Sequence, residues 1–396
     1  MTADLNAPAA DLRADLHAAL SAFFSDRSQI DALLMDTVVQ LSQEVETLTA
    51  RLDALQAGLL AAASPMPASP VAAGPIPAGP IAASPVPVSP VAAPVDLADV
   101  VPPAPRRTPP AARPDQPATW EHLSQLGDEE WLETLLASVD GEHPHGVLPG
   151  FSSAEDQASY IGYSGKAALT DGYRFYLHMR ESMQAYGPLL GADTRILDFG
   201  VGWGRHARMW LRDVPGDNLT LADPSGRAVR TCEEIGMPGT KVQLPNLPPG
   251  DLPEAHFDLA YAYSVFSHLS PRSHTAWAEE WARVIKPGGL AIITTEGRWF
   301  LDYVRMLHDD PAQRVSIWHE RIATGFGDDF DAIRAAYDRG EFIFADTSPD
   351  AWAGLYGDSL VPESWIRETW GAHFDLLDWV ADSSRFDQAV AVLRRR

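Results

Sequence analysis

The stretch that decides the fold of this chain runs from Arg195 to Arg205 and reads RILDFGVGWGR. Its first five residues form an apolar strand with one carboxylate, Asp198, and glycines follow at 200, 202 and 204. Glycine lets the backbone turn sharply and approach a ligand without a Cβ in the way. The pattern predicts a strand, a glycine turn and then a helix beginning near Arg205, as at the start of an α/β nucleotide site.

A second apolar strand, residues 219–222, ends in Asp223, 25 residues after Asp198. An acidic group at this place accepts hydrogen bonds from both hydroxyls of a ribose. Two kinds of nucleotide cofactor bind to such an arrangement, and the spacing of the glycines indicates which kind a sequence favours. A dinucleotide fingerprint needs glycine at position 205, where this chain has Arg205, so the spacing disfavours NAD-type cofactors.

Strands and helices alternate through the rest of the C-terminal part of the chain. Residues 257–263 and 290–295 read as apolar strands, joined by the loop SVFSHLS, a helix over 271–285 with Ser270 as its N-cap, and the turn KPGG. Two helices, near 121–138 and 167–187, are expected before the glycine turn, and FDLLDWV with QAVAVLRR reads as a closing hairpin. This alternation predicts a parallel sheet with helices on both faces.

Together these segments resemble the class I S-adenosylmethionine (SAM)-dependent methyltransferases over about residues 146–396. LDFGVGWGR and LADPS resemble the first two motifs of that family, and FDLAYAY resembles its fourth strand. The resemblance implies an α/β fold, a doubly wound seven-stranded sheet of the Rossmann-like methyltransferase type whose last strand is antiparallel. It also implies a SAM site, for which the expected residues are Asp198, Gly200, Gly202, Gly204, Asp223, Asn246, Tyr263 and Tyr163.

Within that site the resemblance assigns Asp198 and the glycine turn to the methionine part of SAM, and Asp223 to the ribose. Asn246 stands where family members often have an acid near the adenine amino group, and its carbonyl oxygen can accept the same hydrogen bond. Tyr160 and Tyr163, in the stretch YIGYSG, either close over the cofactor or pack in the core.

Methyl transfer needs alignment of the reactants, and a hydroxyl acceptor must also lose its proton. The loop after the fourth strand supplies Ser264, Ser267 and His268, and His268 is the first candidate base because its ordinary pKa lies near working pH. The alternative is that His268 packs under the loop and caps its turn. Glu296, just after the fifth strand, is a second candidate base, Ser264 a third catalytic candidate, and His274 is expected in solvent.

Residues 297–360 have no counterpart in the resemblance and are expected to form a lid that shapes the acceptor pocket. Aromatic side chains there either stack on a sugar or planar ring or form a small core of their own. Acidic residues at 309–310, 328–329 and 331 are of the kind that hard cations prefer, but such turns are common in so acidic a chain and no metal is expected. The insertion carries Trp299, Trp318, Trp352, His308 and His319.

The part of the chain before residue 119 has a different composition, since all 12 Trp lie beyond that residue. Residues 1–27 are an N-terminal segment without a clear pattern, and residues 28–62 carry heptads that predict a coiled coil and a homo-oligomer, with a dimer favoured and a trimer possible. The alternative is one amphipathic helix docked on the catalytic domain. The heptad positions are Leu34, Leu41, Leu48 and Leu55 in one series and Val38, Val45, Leu52 and Leu59 in the other.

Residues 63–118 are rich in Pro and Ala, and a ten-residue repeat fills positions 63–92. Proline has no N–H and a fixed φ, so this segment is expected to be a disordered, extended linker. The methyltransferase domain is then expected over 119–396, with the insertion at about 297–360.

Charge and composition disfavour several classes of partner. The net charge of −24 repels phosphate backbones, so a nucleic-acid substrate is not expected. The single Cys232 excludes an intramolecular disulfide. A membrane span is not expected because the sequence has no apolar run of about 18 residues. The N-terminus lacks a basic start followed by an apolar stretch, so a cytoplasmic location is expected.

The function expected from the sequence is SAM-dependent methylation of a hydroxyl on a small molecule or glycan, as in the bacterial glycan and secondary-metabolite enzymes that the chain resembles. N-methylation of a small amine is one alternative, and a SAM-binding assembly module without catalysis is another. The intact glycine turn and Asp223 favour an enzyme, because a site freed from cofactor binding has no physical need of them.

Overall fold

The computed structural model describes residues 115–347 and 354–396. The coiled-coil helix expected over 28–62, the decapeptide repeats and Trp352 lie outside these residues. Where the chain is described, one large sheet has helices on both faces, which confirms the α/β fold expected from the sequence.

The strands are β1 (Ile196–Phe199), β2 (Leu219–Asp223), β3 (Thr240–Gln243), β4 (Phe257–Ala262), β5 (Ile285–Thr295), β6 (Ile343–Ala345), β7 (Asp358–Leu360), β8 (Phe374–Val380) and β9 (Ala389–Arg395). Seven of them form the main sheet in the order β3-β2-β1-β4-β5-β9-β8. The last strand, β9, runs antiparallel to both of its neighbours, as expected. Because the order reverses between β1 and β4, the carboxyl ends of these strands open the crevice in which α/β sheets bind ligands.

The helices are α1 (Trp120–Leu123), α2 (Asp128–Val139), α3 (Ala154–Ile161), α4 (Gly165–Tyr186), α5 (Gly226–Glu234), α6 (Pro271–Val284), α7 (Phe300–Asp309), α8 (Ile317–Gly325), α9 (Phe330–Asp338) and α10 (Glu363–Thr369). The single helix expected over 121–138 is divided into α1 and α2, with Gly127 at the N-cap of the second. The helix expected from Arg205 is a short 3-10 helix, Ala207–Arg212, with all six residues buried.

Side chains of β1 alternate between two apolar cores, one on each face of the sheet. Ile196 belongs to the core that α4 covers, while Leu197 and Phe199 belong to the core that α6 covers. The ring of Phe199 lies 4.8 Å from that of Trp277 and 5.5 Å from that of Trp281, centroid to centroid. Successive strand residues point to opposite faces, so helices on both faces require this continuous apolar run.

Helix α6 starts at the predicted residue, but the prediction for one of its side chains, His274, was wrong. Ser270 is its N-cap, and Pro271 occupies the first turn. His274 was expected in solvent, but its side chain is fully buried and its Nε2 accepts a hydrogen bond from Trp370 Nε1 at 3.0 Å. The reason is its position three and seven residues before Trp277 and Trp281, which places it on the buried face of the helix.

The insertion, residues 297–360, consists of α7, α8, α9 and the antiparallel pair β6-β7 in its described parts. It has its own core, in which Phe300, Leu301 and Val304 of α7 are buried. The ring of Trp318 lies 6.2 Å from that of Phe300, so this aromatic belongs to the edge of the core. Of the two roles considered for the insertion's aromatic side chains, a small core of their own is the one present in its described part.

No helix in the described residues is long and apolar enough to cross a membrane. Among the same residues, the structure brings together no group of three or more His, Cys, Asp or Glu side chains able to hold a metal ion.

Candidate active site

A cavity of about 380 Å³ lies at the carboxyl ends of β1, β2 and β4. The glycine turn after β1, the end of β2 and the loop after β4 each contribute to its wall, together with α3 and one residue of the insertion. The lining residues are Tyr160, Ile161, Gly200, Val201, Gly202, Trp203, Arg205, His206, Asp223, Pro224, Ser225, Tyr263, Ser264, Val265, His268 and Tyr356.

The glycine turn brings the backbone into direct contact with the loop after β4. Gly200 has φ of +87°, and a Cβ at this position would lie 2.3 Å from Val265 Cγ2. Its N–H donates to the carbonyl of Ala222 at 2.8 Å, which ties the turn to β2. Only glycine combines this positive φ with the absence of a Cβ that would clash with Val265. The turn therefore forms a cradle with an open backbone surface toward the cavity.

Asp223 is held by backbone donors at the rim of the cavity. Its Oδ2 accepts from the N–H of Gly202 at 3.0 Å, and its Oδ1 accepts from the N–H of Ser225 at 2.8 Å. Burial raises the pKa of this carboxyl above its ordinary value, and the two backbone N–H groups oppose that rise. Each oxygen keeps a lone pair for a further donor, which is what a pair of ribose hydroxyls requires.

Asp198 lies in β1, two residues before Gly200, is 5% exposed and does not line the cavity. Its Oδ2 is buried and has no hydrogen-bond partner in the described part of the chain. Burial raises the pKa of Asp198 to about 7, and the neighbouring Asp223 adds to this rise. The Tyr261 hydroxyl and the Ala207 N–H oppose this rise, so Asp198 is held by the core next to the cavity.

The two tyrosines of α3 and its following loop have different positions. Tyr160 lines the cavity and packs over Gly202, where a Cβ would lie 3.3 Å from its ring. Tyr163 does not line it, because its hydroxyl donates to Asp171 Oδ2 at 2.7 Å. The same oxygen pairs with Arg205 Nη1 at 3.0 Å, and the Arg205 guanidinium lies over the Tyr263 ring at 4.9 Å. Tyr163 thus supports Arg205, which does line the cavity.

His268 is fixed through its Nδ1. This atom lies 2.8 Å from the carbonyl oxygen of Gly357 and 3.3 Å from Asp358 Oδ1. Both partners only accept, so Nδ1 carries a proton and Nε2 is the nitrogen left for the cavity. Burial lowers the pKa of His268, but Asp358, the Gly357 carbonyl and Glu296 together raise it above its ordinary value.

Glu296 lies behind the cavity wall in a polar cluster organised by Gln388. Gln388 Nε2 donates to Glu296 Oε1 at 2.8 Å and to Ser264 Oγ at 3.0 Å, and its Oε1 accepts from Thr294 Oγ1 at 2.6 Å. Burial raises the pKa of Glu296 to about 8, so its carboxyl is mostly protonated at neutral pH. Ser264 lines the cavity with φ of +56°, a conformation that its N–H bond to Thr294 Oγ1 stabilises.

The structure brings most of the predicted site residues together and leaves a few aside. Asn246 is exposed and does not line the cavity, and only its backbone carbonyl is used, by Trp277 Nε1 at 3.4 Å. Gly204 turns away from the cavity, since a Cβ there would meet Met237 at 3.2 Å.

Asp358, Gln388 and Arg205 are among the site residues that were not found from the sequence. Asp358 and Gln388 come from the insertion and from the turn before β9, far along the chain from His268, and no spacing connects them with it. Arg205 was noted only as the residue that breaks a dinucleotide fingerprint. Its position directly after the glycine turn was the one available sign that it reaches the cavity.

Comparison with known proteins agrees with this geometry. Residues 197–291 match the family model described as a methyltransferase domain. This segment contains all of β1 except Ile196, together with the glycine turn, Asp223, the loop after β4 and the start of β5. The glycine turn, Asp223 and the loop after β4 form much of the cavity wall. Residues 197–291 are therefore part of a methyltransferase domain.

Solved structures of methyltransferases are similar to this chain at low sequence identity. A SAM-dependent methyltransferase from Clostridium acetobutylicum is 11% identical, covers 57% of this chain and 92% of its own, and has a TM-score of 0.37. The N-methyltransferase NodS from Bradyrhizobium japonicum, in complex with S-adenosyl-l-homocysteine, is 12% identical with 61% and 97% covered and a TM-score of 0.36. Magnesium protoporphyrin IX methyltransferase from Synechocystis is 14% identical with 62% and 95% covered and a TM-score of 0.38. No curated protein sequence matches the chain.

Proposed function

We propose that this enzyme methylates a hydroxyl oxygen of a small molecule or a glycan, with His268 as the general base. The observation that carries this proposal is the fixed orientation of His268, whose Nδ1 is engaged by Gly357 and Asp358 while its ring lines the cavity. A hydroxyl acceptor must lose a proton during methyl transfer, so a positioned base beside the cofactor cavity suits this acceptor.

The residues around the cavity fit SAM. The open backbone of Gly200 and Gly202 leaves room for the cofactor, and Asp223 offers one lone pair on each oxygen to the ribose hydroxyls. Asp198, buried two residues before Gly200, is proposed to stabilise the positively charged methionine part electrostatically. Tyr160 packs against the turn at Gly202. When bound, SAM supplies an electrophilic methyl group.

His268 is better suited than Glu296 to remove the proton. With Nδ1 protonated, neutral His268 has its lone pair on Nε2, and this lone pair takes the hydroxyl proton. Glu296 does not line the cavity, and burial raises its pKa to about 8, so little of it is ionised at neutral pH. Asp358, in direct contact with Nδ1, stabilises the positive charge that develops on His268.

The full chain is proposed to be an oligomer whose methyltransferase domains are tethered by the linker of residues 63–118 to a coiled coil of residues 28–62. The heptads and the proline repeats support this arrangement. Tethering would bring two or more sites close to one glycan or one substrate-carrying partner, which raises the effective concentration of acceptor.

The test compares His268→Ala with wild type, using SAM consumption on separate pools of hydroxyl and amine acceptors. We expect His268→Ala to bind SAM with unchanged affinity and to lose about 10²- to 10⁴-fold in kcat on hydroxyl acceptors. His308→Ala is the matched control, because His308 lies in the insertion and does not line the cavity. An unchanged kcat in His268→Ala would exclude His268 as the base, and turnover of amines alone would exclude O-methylation.

A further inference from the structure

One end of the insertion is joined to the loop that carries His268. Leu269 and Tyr356 form an antiparallel bridge, so residues 355–359 run beside the loop as a short extra strand. Backbone bonds lie on both sides of His268; they are Ser270 N to Leu355 O at 3.0 Å, Gly357 N to His268 O at 2.7 Å, and Ser359 N to Ser267 O at 2.7 Å. This part of the insertion therefore belongs to the structure that positions the base.

Asp358, in the middle of this segment, connects His268 to two further parts of the insertion. Its side chain is almost completely buried, at 2% exposure. Besides His268 Nδ1, its Oδ1 accepts from Trp318 Nε1 at 3.1 Å, and its Oδ2 accepts from Thr347 Oγ1. Trp318 lies in α8 and Thr347 follows β6, so one carboxylate joins both to the base.

Near neutral pH, Asp358 is the ionised acid in direct contact with His268. Burial would raise the pKa of Asp358, but His268, Thr347 and Trp318 hold it below its ordinary value. Glu296, which faces His268 from the end of β5, is mostly protonated at that pH. Tyr356 stacks on the imidazole with ring centroids 5.2 Å apart, and burial keeps it un-ionised by raising its pKa. Arg205, His206 and Asp223 also line the cavity.

We propose that Asp358 is a positioning residue that holds His268 with Nδ1 protonated and Nε2 toward the cavity, and that it couples this orientation to the docking of the insertion through Trp318 and Thr347. The inference rests on the proposed role of His268 as the base. It gives the insertion a second task besides shaping the acceptor pocket, because the base is in place only while α8 and the segment after β6 are docked.

The experiment uses the full-length protein and the variants Asp358→Asn and Trp318→Phe. Three quantities are measured: kcat against pH, SAM affinity by calorimetry, and the titration of the His268 ring by NMR. Asp338→Asn is the matched control, since Asp338 is an exposed acid of the same insertion that pairs with Arg298.

In Asp358→Asn we expect the midpoint of the His268 titration to fall, because burial remains and the charge that opposed it is gone. The rate rises with pH as His268 loses its proton, so the same downward shift is expected in the kcat profile. We expect kcat at its plateau to fall about 10- to 100-fold, as for the loss of one charge-assisted hydrogen bond. SAM affinity and the Asp338→Asn control stay at wild-type values.

An unmoved His268 midpoint in Asp358→Asn would overturn the positioning role, even if kcat falls. In Trp318→Phe the carboxylate keeps its charge and loses one donor of the insertion, so a several-fold fall in kcat without loss of SAM affinity is expected. An unchanged kcat would overturn the coupling, and this variant decides the matter if Asp358→Asn does not fold. Full activity of His268→Ala would instead defeat the proposed function, while the NMR titration would still test how Asp358 acts on His268.

Discussion

Replacing Gly200 with alanine should damage the cofactor cradle in a way that can be calculated from the structure. The residue has φ of +87°, and the new methyl group would lie 2.3 Å from Val265 Cγ2. A side chain in the left-handed region costs about 1–2 kcal/mol, and an extra methyl group in a filled space costs about 1–3 kcal/mol. The sum is about 2–5 kcal/mol, with the lower part remaining even if Val265 rotates away.

The free protein can relieve this strain by shifting the turn, and SAM binding must then restore it. We therefore expect a loss in SAM affinity of at least about thirtyfold in Gly200→Ala, measured by calorimetry at constant salt. Adding Val265→Ala should recover the part of the loss caused by the clash and leave the part caused by φ. Gly191→Ala is the control, because its Cβ would meet nothing within 4 Å.

Two results would refute this reasoning. Wild-type SAM affinity in Gly200→Ala would mean that the turn does not contact the cofactor. Equal losses in the single and the double variant would mean that Val265 is not the neighbour that limits the space.

Three further predictions concern other parts of the chain. Glu296→Gln should have a higher free energy of unfolding in urea than wild type, by a margin that grows as pH rises from 4.5 toward 8. The reason is that folded wild type keeps the Glu296 proton up to a pKa of about 8, so its stability falls over this range. An equal margin at pH 5 and pH 8 would contradict this. His274 is buried, and burial lowers its pKa to about 3. Wild type should therefore lose free energy of unfolding as pH falls below 6.5, and His274→Gln should lose less. Parallel plots of unfolding free energy against pH for the two proteins would contradict this. The double variant Leu41→Asp/Leu48→Asp of the full chain should be a monomer by sedimentation with unchanged SAM affinity, whereas the control Gln40→Asp should remain an oligomer. An unchanged mass of the double variant would contradict the coiled-coil prediction.

The fold could be predicted from the sequence because its signals are local. The glycine turn, the acid after the second strand and the apolar runs all lie within short segments, and parallel strands bring their carboxyl ends to one edge of the sheet. This is why Asp223, Tyr263 and His268 meet at one cavity as expected.

The network that orients His268 could not be predicted in the same way. Asp358 comes from an insertion without counterpart in the resemblance, and Gln388 comes from the hairpin at the end of the chain. Each reaches the site only through the tertiary structure, so no spacing in the sequence marks either one. His274 is different, because its spacing from Trp277 and Trp281 did indicate a shared helix face, and this periodicity outweighs the polar character of one side chain.

The measurement that tests the central claim most directly is calorimetric titration of the full-length protein with SAM and, separately, with NAD, for wild type, Asp223→Ala and the exposed control Asp193→Ala. The account predicts SAM binding by wild type and by Asp193→Ala, no response to NAD, and a loss of about tenfold to a hundredfold or more in Asp223→Ala, because the ribose hydroxyls lose a charged acceptor. Absence of SAM binding by the folded wild-type protein, or unchanged affinity in Asp223→Ala, would contradict it.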